Sequence, residues 1–383
     1  MVLLILAGLL AVTLPLVLRE VQDTAEAPPP NLRPTQAPQD VRSLSIDFGI
    51  VTDPDTDWPG VDAHLDASGA TTVNLNAGRT EFTAFDWPEH PGAAAEPGTD
   101  HLSVAARAVR TTADGAARPV NLIVDAYLPE WIRADPSIAG VDVHGRRSQY
   151  TASAAQFADG AVGDRLLAYA AALGERYDPN QIEITELFLD TFTFGDDDFA
   201  LFRRMTGEAD WPRTDKGAID TDAPLIGVWR SEVLAGLMKR IRTALDTVRD
   251  GQGRDIGLVL DVRVDWTDPA GGRPLSGHDY TILLRTGIDL QLWVYVGRAD
   301  KTPSQVQVLT GALAAGGYDM SRFIVSIGLW AGDAAADPPG RITPAVLAEA
   351  VTDAATNRIS AVNVTPYSLM TEAHWSALAS VWT

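Results

Sequence analysis

The chain has 383 residues, 46% of them hydrophobic, and its 51 acidic against 30 basic side chains give a net charge of −21 at pH 7. That balance works against nucleic acid or anionic lipid as a partner, since both would meet like charge, and leaves sugars and other neutral substrates open. Cysteine is absent, which excludes disulfides, thiolate nucleophiles and Cys-ligated metals.

Residues 2–18 form an almost wholly apolar run ending at Arg19. This is short for a membrane span but suits a signal peptide core or a marginal membrane anchor, and both imply export. Residues 20–42, with Pro28, Pro29, Pro30, Pro34 and Pro38, lack a hydrophobic period and read as an extended, disordered linker. The expected organisation is therefore residues 1–19 as signal or anchor, 20–42 as linker and 43–383 as one globular unit, secreted or held at the cell envelope. A unit of that length is compatible with α/β barrels, which run to about 250 residues or more.

From residue 43 onward short apolar or β-branched runs alternate with helical patterns. Strands are predicted at 43–50, 71–77, 119–128, 181–190, 256–265, 288–297, 323–331 and 359–367. Helices are predicted at 61–68, 102–113, 162–177, 228–249, 280–285, 303–315, 344–357 and 372–381. Eight β/α units in sequence, with the last helix closing the chain, predict an α/β fold of the (β/α)₈ TIM barrel type. Long loops follow the second, third and fourth strands and carry Trp87, Trp131 and Trp211. Loops on that rim usually build a substrate cleft.

Strand parity gives an independent check, because side chains two apart share a face. Polar residues gather on one face of each strand: Ser45 and Asp47; Asn74 and Asn76; Asn121, Asp125 and Tyr127; Glu186 and Asp190; Asp261, Arg263 and Asp265; Gln291, Trp293 and Tyr295; Ser326 and Trp330; Asn363, Thr365 and Tyr367. Strands of a parallel barrel are covered on both sides, so these faces are expected to look into the lumen near its open end. In the fourth segment, QIEITELFLD, Ile184, Glu186, Phe188 and Asp190 are expected to share that face. An ionised carboxylate there costs several kcal/mol or more unless it reaches water, a partner or a substrate.

The chemistry narrows by elimination. All six His lie outside the predicted strands and only three Lys occur, Lys216, Lys239 and Lys301, none on a strand. Strand-borne His metal centres and Schiff-base lysines are thus disfavoured, and no glycine-rich phosphate or dinucleotide loop is present. Neither a metal nor a cofactor is expected. The Asp196-Asp197-Asp198 cluster reads as an acidic turn or helix start in preference to a calcium loop. What survives is carboxylate chemistry among aromatic rings, as glycosidic bond cleavage requires: an acid at the leaving oxygen and a second carboxylate about 5 to 9.5 Å away. Four residues of strand span about 13 Å, so Glu186 and Asp190 alone do not form such a pair, and Asp125, Asp261 and Asp265 are the nearest suppliers of a partner. Glu186, Asp190, Asp261 and Asp265 are the expected catalytic set, with Glu186 favoured as acid/base because burial raises a carboxyl pKa. Arg263, between Asp261 and Asp265, is expected to neutralise one of them. Asp47, Asn76, Asp125, Tyr127, Trp131, Arg263, Trp293, Tyr295, Trp330 and Tyr367 are the expected substrate-binding set, the rings serving to stack on sugar faces.

The stretch ITELFLDTFTFGDDDFALF, with SIDFG, IVDAYLPEW, SIGLWAG and NVTPYS on other strands, resembles the glycoside-hydrolase-type TIM barrels, particularly family-10-like uncharacterised bacterial glycosyl hydrolases. The resemblance covers roughly residues 43–383 and implies a hydrolase acting on a polysaccharide or oligosaccharide. An Asp-containing motif closing the fourth strand in that group corresponds to Asp190, whereas glycosidase barrels with a catalytic Glu at that place point to Glu186. The chain departs from the pattern in lacking an Asn-Glu pair on the fourth strand and a clear catalytic Glu on the seventh. The alternative is a non-catalytic barrel that binds carbohydrate or scaffolds the envelope, which would need the aromatics but no facing carboxylates.

Overall fold

A computed structural model describes residues 29, 30, 32, 40–248, 255–332 and 340–383. The apolar run 2–18 and most of the predicted linker lie outside the described residues. Among the described residues no helix is long and apolar enough to cross a membrane.

Eight parallel strands close into a barrel: β1 (Val41–Ile46), β2 (Thr72–Arg79), β3 (Val120–Asp125), β4 (Gln181–Thr185), β5 (Gly257–Arg263), β6 (Asp289–Val294), β7 (Phe323–Gly328) and β8 (Ala361–Thr365). Each pairs with its neighbours in chain order, and β1 bonds to both β2 and β8, which leaves no free edge. The outer helices are α1 (Trp58–Ser68), α2 (His101–Val109), α3 (Ala161–Tyr177), α4 (Pro224–Asp246), α5 (Tyr280–Leu284), α6 (Ser304–Ala315), α7 (Pro344–Ala354) and α8 (Glu372–Trp382). Their ends follow local chemistry: Asp57 caps α1 by accepting from the Gly60 N–H, Gly69 ends it in the left-handed region, and α4 opens on Pro224. The (β/α)₈ expectation is met.

The principal core lies between strands and helices, where Leu44, Ile46, Val73, Leu75, Leu122, Val124, Ile182, Ile184, Leu260, Leu292 and Ile327 are all buried. Inside the barrel the layers differ. Val259, Ile324 and Ala361, with Val41 against them, form a separate apolar cluster on the lumen parity near the strand starts and seal that end. Above it runs a hydrogen-bonded belt. The Asn363 Oδ1 accepts from Ser43 Oγ at 3.0 Å and Ser45 Oγ at 3.2 Å, its amide donates to Ser326, and Asn180, Asn121 and Asn74 continue the chain of amides. A fully connected buried network satisfies its polar atoms and holds neighbouring strands in register.

Most predicted strands overrun at the open end, where the chain leaves the sheet to build the mouth. The first ends at Ile46 and gives way to a short helix, Phe48–Thr52. The fourth is the important correction. It ends at Thr185, five residues before the expected limit, and Ile184 is buried among core residues on the helix side. Glu183 and Thr185 are the lumen residues of β4, so Ile184, Glu186, Phe188 and Asp190 do not share a strand face. Because Ile184 pairs with Leu260, Thr185 stands level with Asp261.

Candidate active site

Glu186 reaches the lumen through its backbone. Immediately after β4 it adopts φ 55°, and this left-handed turn carries the carboxyl into the barrel mouth. There it lines two adjoining chambers. One, of about 370 Å³, lies in the lumen and is walled by Asp47, Asn76, Asp125, Glu183, Asp261, Tyr295 and Trp330 among others. The larger, of about 770 Å³, opens outward and is lined by Tyr127, Arg263, Trp266, Trp293, Tyr295, Arg298 and Trp330. Glu186, Tyr295 and Trp330 belong to both, so the chambers are continuous. A third cavity, of about 600 Å³, adjoins the second through Arg273 and is lined by Asp190, Arg230 and Asp265.

Burial pushes the Glu186 carboxyl up from the usual glutamate range, against the opposing pull of a hydrogen bond from Tyr127 and the charge of Arg263. Asp125 ends β3 level with Thr185 and shares the inner chamber. Its pKa is pushed up to about 6, chiefly by burial and further by the charge of Glu186, while the Tyr127 N–H and the nearby Arg79 pull it back. Tyr127 stands by both acids: its N–H donates to Asp125 Oδ1 at 2.9 Å, and its phenol is near enough to Glu186 to pull that carboxyl's pKa down. The close approach of β2 to this corner depends on a bulge at Gly78, φ 135°, where an added Cβ would lie 2.2 Å from the Phe82 carbonyl oxygen. The bulge sets Asn76 in the chamber wall, its Oδ1 accepting from the Gly78 N–H at 2.9 Å.

Beneath Glu186 lies a second carboxyl pair that includes a residue sequence reasoning missed. Glu183 and Asp261 are each 4% exposed, and the Gln291 amide donates to Glu183 Oε1 at 2.6 Å and to Asp261 Oδ1 at 2.8 Å. Desolvation, reinforced by the neighbouring Asp261, raises the Glu183 carboxyl well above its ordinary value. Asp261 is also raised by burial, to about 6, but donors from Trp293, Thr185, Glu183 and Gln291 oppose the shift. The Trp293 indole N–H and the Thr185 hydroxyl each meet Asp261 Oδ2 at 2.8 Å. Asp261 therefore fixes the Trp293 ring, which stacks on Tyr295 at 5.9 Å and 18°. Gly328 leaves room for that tyrosine, since a Cβ there would approach its ring to 2.2 Å. The alternation in QIEIT, with Ile182 and Ile184 set against Gln181, Glu183 and Thr185, was the available signal for Glu183.

The other expected site residues fall elsewhere. Asp190 is outside the two chambers that hold Glu186 and forms an ion pair with Arg263, whose guanidinium lies 3.7 Å over the Phe188 ring. Arg263 thus neutralises neither Asp261 nor Asp265. Asp265 organises its own turn, accepting from the Thr267 hydroxyl at 2.6 Å and from the Thr267 and Asp268 N–H groups, and that bonding holds its pKa below the usual range. Asp47 lines the inner chamber and accepts from the N–H and hydroxyl of Ser368, each at 3.0 Å. Trp131 lies away from all three cavities, with its N–H on Glu81 and its ring 5.9 Å from the Arg165 guanidinium. Tyr367 turns outward after β8 to meet His64 and Trp375. Trp87 and Trp211 are buried packing residues. Trp266, Arg273 and Arg298 line the cleft without having been singled out, because nothing in the local pattern distinguishes them from ordinary loop residues. Asp196–Thr206 is a helix, in keeping with the reading of the acidic cluster as a helix start, although Asp198 is buried.

Among the described residues no group of three or more His, Asp or Glu is arranged as metal ligands. Comparisons with protein-family models and with curated proteins find no match. Solved structures do match in fold. The PgaB (BpsB) glycoside hydrolase domain from Bordetella bronchiseptica superposes with a TM-score of 0.66 at 14% identity, over 90% of this chain and 99% of that one. The catalytic domain of a β-amylase from Paenibacillus polymyxa gives 0.59 at 12%, over 90% and 98%. A GH42 β-galactosidase from G. stearothermophilus gives 0.63 at 10%, over 92% of this chain and 57% of its own length. The fold of this chain is that of barrels on which glycoside hydrolases are built.

Proposed function

We propose that the chain is a glycoside hydrolase in which Glu186 is the general acid and Asp125 the partner carboxylate. The observation that carries this reading is the meeting of two carboxyls, both raised by burial, in one aromatic-lined chamber with Tyr127 beside them. Glu186 lines both chambers and burial raises its carboxyl toward the working range, which suits it to protonate a leaving oxygen. Asp125, with a pKa of about 6, is mostly ionised at neutral pH and can act as base or nucleophile on the opposite side of the bond. Trp293, Tyr295 and Trp330 offer faces for sugar rings. Asp261, occupied by four partners, positions Trp293, and Asp190 positions Arg263. The glycoside hydrolase neighbours support the substrate class. The apolar run 2–18 supports export, to the medium or to an envelope-anchored location.

The test is turnover on a panel of polysaccharides and aryl glycosides. Glu186→Gln and Asp125→Asn are each expected to lower kcat by about 10²- to 10⁴-fold, whereas Asp190→Asn acts mainly on KM. In the wild type kcat/KM should fall as pH drops through about 6, where Asp125 takes up its proton. Unchanged turnover in both of the first two variants would refute the assignment.

A further inference from the structure

The larger chamber differs in charge from the molecule around it. The chain carries −21, yet the charged side chains lining this chamber are one carboxyl, Glu186, and three guanidinia, Arg263, Arg273 and Arg298. Arg263 is already paired with Asp190. Arg298, like Arg273, is exposed to solvent at the chamber wall and, among the described residues, its guanidinium has no ion pair, hydrogen bond or ring partner. It sits on the short helix Val296–Ala299 that leaves β6, and its N–H bonds to the Tyr295 carbonyl at 3.0 Å. One helical turn therefore delivers a ring and a cation, three residues apart, to the same chamber. Arg273 enters from the other side, on the two-residue strand Gly272–Arg273, and also has no ion pair. Its charge reaches Asp265, but that carboxylate is already engaged by Thr267 and Asp268.

A guanidinium offers a planar fork of donors that matches carboxylate, sulfate or phosphate oxygens, and it gives up its water more readily than an ammonium does. Two such groups outside any ion pair among the described residues, beside Trp266 and Trp330, make a site for a ring with a negative substituent. The net charge does not prevent this, because repulsion between exposed charges is largely screened beyond about 8 Å at physiological ionic strength. We propose that the sugar unit held in the larger chamber carries an anionic group received by Arg298 and Arg273, an extension that rests on the hydrolase reading for what then happens at Glu186.

The test is calorimetric titration of the full chain carrying Glu186→Gln, so that binding is read without turnover. Probes are oligogalacturonides, sulfated chondroitin oligosaccharides, phosphorylated manno-oligosaccharides and neutral cello-oligosaccharides. At least one anionic series is expected to bind about tenfold or more tightly than the neutral one, to lose about tenfold on Arg298→Met, to recover in part with Arg298→Lys, and to weaken in high salt. Which series responds identifies the anion. Circular dichroism checks that the variants fold. Neutral probes binding as well as charged ones, no binding by any probe, or anionic affinity indifferent to both Arg298→Met and Arg273→Met would overturn the proposal. Wild-type turnover measured on the same panel separates the two ideas. Hydrolysis confined to neutral glycans sinks the anion site and leaves the hydrolase, while Arg298-dependent binding of an anionic probe that is never cleaved supports the site and removes the hydrolase.

Discussion

At Glu186 the backbone lies at φ 55°, a left-handed conformation that costs an L-residue about 1 to 2 kcal/mol. Nothing about closing the barrel requires that expense, since glycine would make the same turn without it. The strain is explained by what the turn carries, a carboxyl brought out of strand alternation and into the cleft that Tyr127 also lines. Two variants separate backbone from side chain. Glu186→Ala and Glu186→Gly both remove the carboxyl and both should abolish turnover, but only glycine relieves the strain. The glycine variant should therefore be the more stable of the two by about 1 kcal/mol, read from urea midpoints. Equal midpoints would mean that the left-handed turn stores no strain in solution.

Short elements at the mouth depend on a few buried acids, of which Asp198 is the clearest. It lies in the first turn of the helix Asp196–Thr206, accepts the Gly195 N–H there at 3.4 Å, and also accepts the Ala155 N–H at 3.0 Å. One carboxyl thus serves the starts of two helices, the second being Ala154–Asp159. Burial, with help from the charge of Asp197, pushes its pKa up to about 7. The folded chain then keeps a proton that the unfolded chain releases near 3.8, so this contribution to stability is complete below 3.8 and is lost as pH rises through about 7. Asp198→Asn carries no such proton. Its melting temperature should change less than that of the wild type between pH 4 and pH 8, and parallel curves would remove the role assigned to the carboxyl. The same elements mark how far the sequence can be read. Eight β/α units were legible because hydrophobic period and turn residues are local signals, and lumen parity was legible on the other strands because their polar residues precede any break in alternation, the β2 bulge at Gly78 coming after Asn74 and Asn76. The fourth was read out of phase: the left-handed residue at 186 interrupts alternation, and a sequence does not announce positive φ at a glutamate. Tyr367 and Trp131 were assigned to the site because ring identity is visible, whereas the turns that direct them outward depend on contacts with His64, Trp375 and Glu81 from distant segments.

Across the whole barrel the two ends have separate tasks. The mouth carries the strained glutamate, the tuned carboxyls and the unpaired arginines. The opposite end is closed by Val259, Ile324 and Ala361, and on its outer side the chain before β1 is pinned. Leu32 is 2% exposed, its N–H donates to the Tyr177 carbonyl at 3.0 Å, and its carbonyl accepts from the Val120 N–H at 3.4 Å. Tyr177 ends α3 and Val120 begins β3, so this contact lies at the end remote from Glu186. At Leu32, then, the chain before β1 packs on the folded body. In barrels of this kind the strand-start end contributes stability and the strand-end face contributes chemistry. Leu32→Ala should accordingly cost about 2 kcal/mol or more and lower the melting temperature by several degrees, while kcat/KM on any substrate found stays at the wild-type value. A matching fall in kcat/KM, measured well below the melting transition, would show that the closed end is coupled to the mouth and that the barrel does not divide its work in this way.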